Sequence, residues 1–98
     1  MNNTEFREFH EEKYKELNDG VKQRAIRVIR EEIPTIVQDQ IRMAILSDPD
    51  EWSVPYHFGW GMGVRNLLRE KGILDNELPS GNWDDYYVAV VEDALVGK

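Results

Sequence analysis

Cysteine is absent from this 98-residue chain. No disulfide can staple the fold, and no thiolate can bind zinc or attack a substrate. Histidine is nearly as scarce, with only His10 and His57. Neither stands in a His-x-x-His or Glu-x-x-His pair, so no metal centre is expected. The few hydroxyls (Thr4, Thr35, Ser47, Ser53, Ser80) lie outside any Gly-x-Ser-x-Gly elbow, so no catalytic nucleophile stands out. Asp84 and Asp85 could serve as acid and base, but a place in the first turn of a helix explains them more simply. Long apolar runs are missing too: nothing approaches the roughly 20 residues that span a bilayer. The first five residues, Met1 to Glu5, are polar and acidic, unlike a secretory signal. These absences lead us to expect a cytoplasmic protein with no membrane contact, no cofactor and no catalytic residue.

What the chain has is aromatic and acidic. Three Trp, four Tyr and three Phe supply large buriable area, which argues against disorder. Lys and Arg number 12 against 19 Asp and Glu, for a net charge of −7. Such a charge repels phosphate backbones at long range. It is spread along the chain: 8 basic and 12 acidic residues up to Glu51, then 4 and 7 from Trp52 onward. The length supports one domain with one modest core.

Apolar spacing predicts a compact all-α bundle of four or five short helices, as a single domain over 1–98. N-terminal helices occupy 1–47, and a second helical half occupies 48–98. The first helix is expected from Asn3 to Leu17, opened by a capping box of Asn2 and Glu5. Asn18-Asp19-Gly20 signals a turn. The second helix is expected from Val21 to Glu32, and Pro34 breaks it. The third runs from Thr35 to Leu46. The fourth is expected from Tyr56 to Lys71, closed by Gly72, with Ile73 and Leu74 packing back. Asn82 caps the last, from Trp83 to Val96. Its run Tyr86-Tyr87-Val88-Ala89-Val90-Val91 has strand-like composition, yet the cap and the 3.6-residue spacing predict helix.

One stretch is unusual: His57-Phe58-Gly59-Trp60-Gly61-Met62-Gly63-Val64-Arg65-Asn66. Each glycine inside a helix costs about 1 kcal/mol relative to alanine, so close packing or a ligand must offset it. On a helical wheel Gly59, Gly63, Asn66 and Glu70 share one strip, beside an apolar stripe of His57, Trp60, Val64, Leu67 and Leu68. Phe58, Met62, Arg65 and Arg69 cluster on a third side. Tight helix packing through Gly59 and Gly63 is the simplest expectation, with Asn66 hydrogen-bonding across. A binding groove lined by His57, Phe58, Gly59, Trp60, Met62, Gly63, Arg65, Asn66 and Arg69 is the alternative. The glycines miss both the P-loop and the dinucleotide spacings.

The spelling His57-Phe58-Gly59-x-Gly61-Met62-x-x-Arg65-Asn66, followed by Asp84-Asp85-Tyr86 at a helix start, resembles a family of small uncharacterised bacterial and phage proteins. The likeness covers about Trp52 to Leu95 and implies no activity. Many members of that family carry a bulky residue where Gly63 stands.

A rival reading starts from helix 2. Lys22, Arg24, Arg27 and Arg30 have no acid between them and could grip phosphates. A solvated face paired with the acid-rich first helix is simpler, and the net charge favours it. The composite expectation is a non-enzymatic interaction domain, an accessory of phage or mobile-element kind, whose partner is another protein. A nucleic-acid module using helix 2 and a small ligand-binding domain around His57, Arg65 and Asn66 are its alternatives.

Overall fold

The computed structural model describes residues 3–97. They form an all-α globule of five helices without strands. These are α1 (Asn3–Glu16), α2 (Asp19–Glu32), α3 (Thr35–Ser47), α4 (Trp60–Glu70) and α5 (Tyr87–Val96). Short 3-10 turns stand at Val54–Tyr56, Asp75–Glu77 and Trp83–Asp85. Asn2, half of the expected capping box, lies outside the described residues.

Local chemistry explains most boundaries. The Asn18 side chain accepts from the Val21 N–H at 2.8 Å, so α2 begins two residues before its expected start. Ile33 is extended ahead of Pro34, as the proline's clash with helical geometry requires. The Asp48 carboxylate caps the turn before Trp52 by accepting from Glu51 N–H at 3.3 Å. Gly72 takes a left-handed φ of +90°, and Ile73 N–H returns to the Leu68 carbonyl at 3.0 Å, ending α4. Ile73 packs into the core as expected, whereas Leu74 is exposed. Asn82 caps Asp84 N–H at 2.9 Å, but the turn it opens is 3-10, and the α-helix starts only at Tyr87.

α5 is the axis of the molecule. Tyr87, Val88, Ala89, Val90, Val91, Glu92, Ala94 and Leu95 are all buried. A helix apolar all round must be enclosed on every side. α1, α2, α3 and α4 all contact α5, and one core extends from Leu17 to Leu95. The N-terminal helices therefore find their common partner in α5.

A buried helix must also satisfy its last carbonyls. Gly97 supplies a left-handed cap. Arg30 of α2 donates its Nε–H to the Ala94 carbonyl at 2.8 Å. Arg42 of α3 donates its Nε–H to the Leu95 carbonyl, also at 2.8 Å. Both cations sit where the helix dipole is negative. We expect Arg30→Met and Arg42→Met each to lower stability by about 1 kcal/mol. Urea unfolding should show a lower midpoint with an unchanged slope.

Candidate functional site

The unusual stretch lies where α4 meets the start of α5. Its helix begins later than expected. Gly59, at φ −100° and ψ −117°, is the N-cap of α4, and the chain from Val54 to Gly59 forms turns rather than α-helix. The chain therefore changes direction at Gly59. His57 leaves the expected apolar stripe and Phe58 the third side, while Trp60 starts a new wall. The Trp60 ring stacks between Trp52, at 5.5 Å, and Tyr56, at 5.3 Å between centroids.

A buried arginine holds this arrangement. Arg65 is 4% exposed. It donates from Nη1 to Asp84 Oδ1 at 2.7 Å and from Nη2 to the His57 carbonyl at 2.8 Å. Its guanidinium lies 4.9 Å from the centre of the Tyr87 ring. The Tyr87 hydroxyl meets His57 Nδ1 at 2.9 Å, and Arg65 Nη1 also lies 3.1 Å from His57 Nε2. Burial pushes the Tyr87 phenol above its usual range, so it stays neutral and available as a donor. One arginine thus ties α4, the 54–59 turn and the start of α5 together.

The glycines play other parts than expected. A Cβ on Gly63 would meet nothing within 4 Å, and one on Gly59 would meet only the Tyr56 carbonyl at 3.7 Å. No backbone of another helix lies against either residue, so the expected close packing through them is absent. Gly59 stands outside the helix as its N-cap, and Gly61 takes the close contact instead. Its Cβ would fall 2.8 Å from the Tyr56 carbonyl and 3.1 Å from the Tyr87 hydroxyl. Asn66 does not bridge a groove either. Its side-chain oxygen accepts from Arg69 Nη1 at 2.8 Å on its own helix. Arg69 reaches Asp75 from both Nε (2.6 Å) and Nη2 (3.1 Å), and Asp75 also accepts from Trp83 N–H at 3.0 Å. Phe58 and Met62 are exposed.

The basic face of α2 is largely engaged within the protein. Arg24 pairs with Glu77 at 2.6 Å, and Arg30 caps α5. The Lys22 ammonium lies 4.6 Å from the Tyr14 ring centre. Arg27 remains exposed beside them. The acids of α1 were the expected partners; the observed ones are Glu77 and the α5 terminus.

Two concavities border the unusual stretch. The first, about 440 Å³, lies between α3 and α4 and the end of α2. Val37, Ile41, Trp60 and Leu67 form its apolar walls, and Gly63 and Asn66 lie along it. A neighbouring hollow of about 290 Å³ shares Val37, Ile41 and Trp60 and extends the groove toward Ala44 and Tyr56. The second concavity, about 360 Å³, opens between α1 and the 53–58 turn and includes His10, His57 and Phe58. The nine residues of the expected groove therefore split three ways. Trp60, Gly63 and Asn66 face the groove, His57 and Phe58 face the second cavity, and Gly59, Met62, Arg65 and Arg69 line neither.

His10 is buried against Phe6 and Phe9, as its place beside the aromatic stripe of the first helix suggests. Sequence reasoning missed Glu92, which accepts from Trp52 Nε1–H at 3.1 Å in the interior, and nothing local signals it. No cluster of three or more His, Asp or Glu residues suited to a metal occurs among the described residues. No helix among them is long and apolar enough to cross a membrane.

Alanine substitution separates the glycines. Gly61→Ala forces a shift of backbone or of Tyr87, and we expect a loss of about 1–3 kcal/mol. Gly63→Ala faces open space within a helix, and we expect a gain of about 0.4–1 kcal/mol. Thermal unfolding should show opposite shifts. A second expectation concerns acid. The Arg69 guanidinium, aided by Trp83 N–H, holds the Asp75 carboxyl below its usual range. A depressed folded-state value gives stability that is complete above the unfolded value and is lost as pH falls through the folded one. Asp75→Asn should lower stability at neutral pH and flatten the decline below about pH 4, as followed by urea titrations at several pH values.

No family model matches this chain, and neither a curated protein nor a solved structure does.

Proposed function

We propose that this protein is a non-enzymatic interaction domain that receives the apolar face of a basic amphipathic helix in the groove between α3 and α4. The continuous apolar groove along Val37, Ile41, Trp60 and Leu67 carries this reading. Helix-in-groove recognition needs such a channel, lined by side chains that take anchors at i, i+3, i+4 and i+7. Gly63 widens it by presenting no side chain. Trp60, fixed by stacking on Trp52 and Tyr56, is the kind of ordered aromatic that dominates interface energetics.

Charge selects the partner. Glu32 and Glu70 border the groove, and the whole chain carries −7. That field speeds the approach of a basic segment and disfavours an acidic one. The engagement of Arg24 and Arg30 inside the fold supports a protein partner over a nucleic acid. The resemblance to small bacterial and phage proteins is in keeping with an accessory role of this kind.

A synthetic Leu/Lys amphipathic helical peptide tests the proposal. Trp52 and Trp83 are buried while Trp60 is half-buried, so tryptophan emission reports on the groove. We expect saturable binding that Gly63→Phe weakens at least tenfold, since the ring fills the channel from an open position. Gly63→Ala should bind like the wild type. Equal binding by the wild type and Gly63→Phe, or stronger binding of a Leu/Glu peptide of the same pattern, would overturn the reading.

A further inference from the structure

The second cavity shares no lining residue with the α3–α4 groove. Three parts of the chain wall it with rings: Phe6 on α1, His57 and Phe58 on the 54–59 turn, and Tyr87 at the start of α5. Its volume, about 360 Å³, falls near the lower end of small-molecule sites, which run from about 300 to 1,000 Å³. Edge-to-face contacts order the rings. Phe6 meets His10 at 4.5 Å between centroids and 69°, and His57 meets Phe58 at 4.9 Å and 81°. Phe58 is nonetheless 82% exposed, so its ring stands at the mouth, open to an incoming molecule.

The one carboxylate of the lining is Asp84, and no Lys or Arg belongs to it. Asp84 Oδ1 accepts from Arg65 Nη1 at 2.7 Å. Its Oδ2 has no hydrogen-bond or ion-pair partner among the described residues. The side chain is 45% exposed, so a molecule in the cavity can reach the carboxylate. Arg65 stays behind this layer: it is buried and does not line the cavity. Asp84 cancels its charge, and Asp85, next in the same 3-10 turn, leaves an excess of negative charge there. The whole chain adds to it with −7.

Rings and carboxylate together select one kind of ligand. Aromatic faces carry the negative part of a quadrupole and attract cations. A carboxylate strengthens that attraction and repels anions. A primary ammonium would give up its water for walls that offer few acceptors, which is costly. An alkylated ammonium has its charge covered by methyl groups that suit apolar walls, and a quaternary one has no N–H to satisfy. The inner side of the same corner already works this way. The Arg65 guanidinium lies 4.9 Å from the Tyr87 ring centre with Asp84 as its counter-ion.

We infer that this cavity binds a small free cation carrying a trimethylammonium or similarly alkylated ammonium group, held against the rings of Phe6 and Phe58 with Asp84 as counter-ion. This inference does not rest on the groove reading, because the residues are separate.

Choline and its carbon isostere, 3,3-dimethylbutan-1-ol, provide the test, since they share a shape and differ in charge. Each is titrated into the full chain at constant ionic strength and followed by NMR of the Val54 and Val88 methyl groups. Choline should move these signals saturably, leaving the Val37 and Ile41 methyls of the groove still. It should bind at least fivefold more tightly than the isostere. Glycerophosphocholine presents the same group as a lipid headgroup does, beside a phosphate. It should bind more weakly than choline, and the reverse order would overturn the assignment to a free cation. Phe58→Ala removes an exposed ring, which leaves the fold intact, and should weaken choline at least threefold. Asp84→Asn should bring choline and the isostere within twofold of each other. Equal binding of choline and the isostere by the wild type would overturn the inference. So would unchanged choline binding by Phe58→Ala, or no saturable shift at Val54 and Val88. These comparisons decide even where Asp84→Asn, which loosens Arg65, fails to fold.

Discussion

The constraint on which this fold depends is the enclosure of α5. Ten residues with almost no polar face cannot meet water on any side, so every other helix is positioned by the need to cover them. The apolar term is large: burying a Val or Leu side chain contributes about 1.5–3 kcal/mol, and α5 buries several. Polar atoms at its ends then set the conditions. Arg30 and Arg42 close the C-terminal carbonyls from two different helices. Glu92, carried inside with the rest of the helix, must find Trp52 Nε1–H. On the same helix Asp93 accepts from the Tyr14 hydroxyl at 2.5 Å and so ties α1 down. Burial, then that carboxylate, push the Tyr14 phenol well above its usual range, which keeps it a donor at all ordinary pH.

Arg65 is the second determinant, subordinate to the first. Burying a guanidinium is costly unless each of its donors is met. Here Asp84 and the His57 carbonyl meet them from two different turns, and the Tyr87 ring covers its face. Breaking such a pair from one side leaves an uncompensated charge, so the network acts as a geometric requirement rather than as a net source of stability. It defines where the 54–59 turn runs, and hence which side of α4 each motif residue faces.

This ordering explains what could be read from the sequence. The helices were legible because their signals are local: Asn18 before α2, Pro34 after it, Gly72 after α4, and apolar spacing throughout. The helical state of Tyr87–Val91 was legible through Asn82 and the period, despite strand-like composition. The glycine roles were not. A helical wheel puts Gly59 and Gly63 on one strip but does not say which strip meets a neighbour; Gly59 lies outside the helix, and Gly61 meets Tyr87. The Arg65 clamp beside them was hidden as well, because its partner Asp84 is nineteen residues away and looked like an ordinary first-turn acid. Likewise the arginines of α2 read as a solvated face paired with the acids of α1, because Glu77 and the carbonyls of α5 are distant in sequence. Long-range pairing carries no local pattern, and both corrections have that one cause.

The same clamp bears on binding. The segment from Trp52 to Gly61 contributes to both concavities: Trp60 and Tyr56 face the groove, while Ser53, Val54, His57 and Phe58 face the His10 cavity. Loop segments that must order on binding lose affinity to conformational entropy. Here that entropy is already lost on folding, because Arg65 holds the His57 carbonyl and the Trp52–Trp60–Tyr56 stack holds the other side. Gly61 completes the arrangement by allowing the Tyr56 carbonyl and the Tyr87 hydroxyl to approach more closely than a side chain would permit. Two glycines of this stretch thus have distinct surroundings: Gly61 sits where α4 meets α5 and a side chain would not fit, and Gly63 lies along the α3–α4 groove with open space around it.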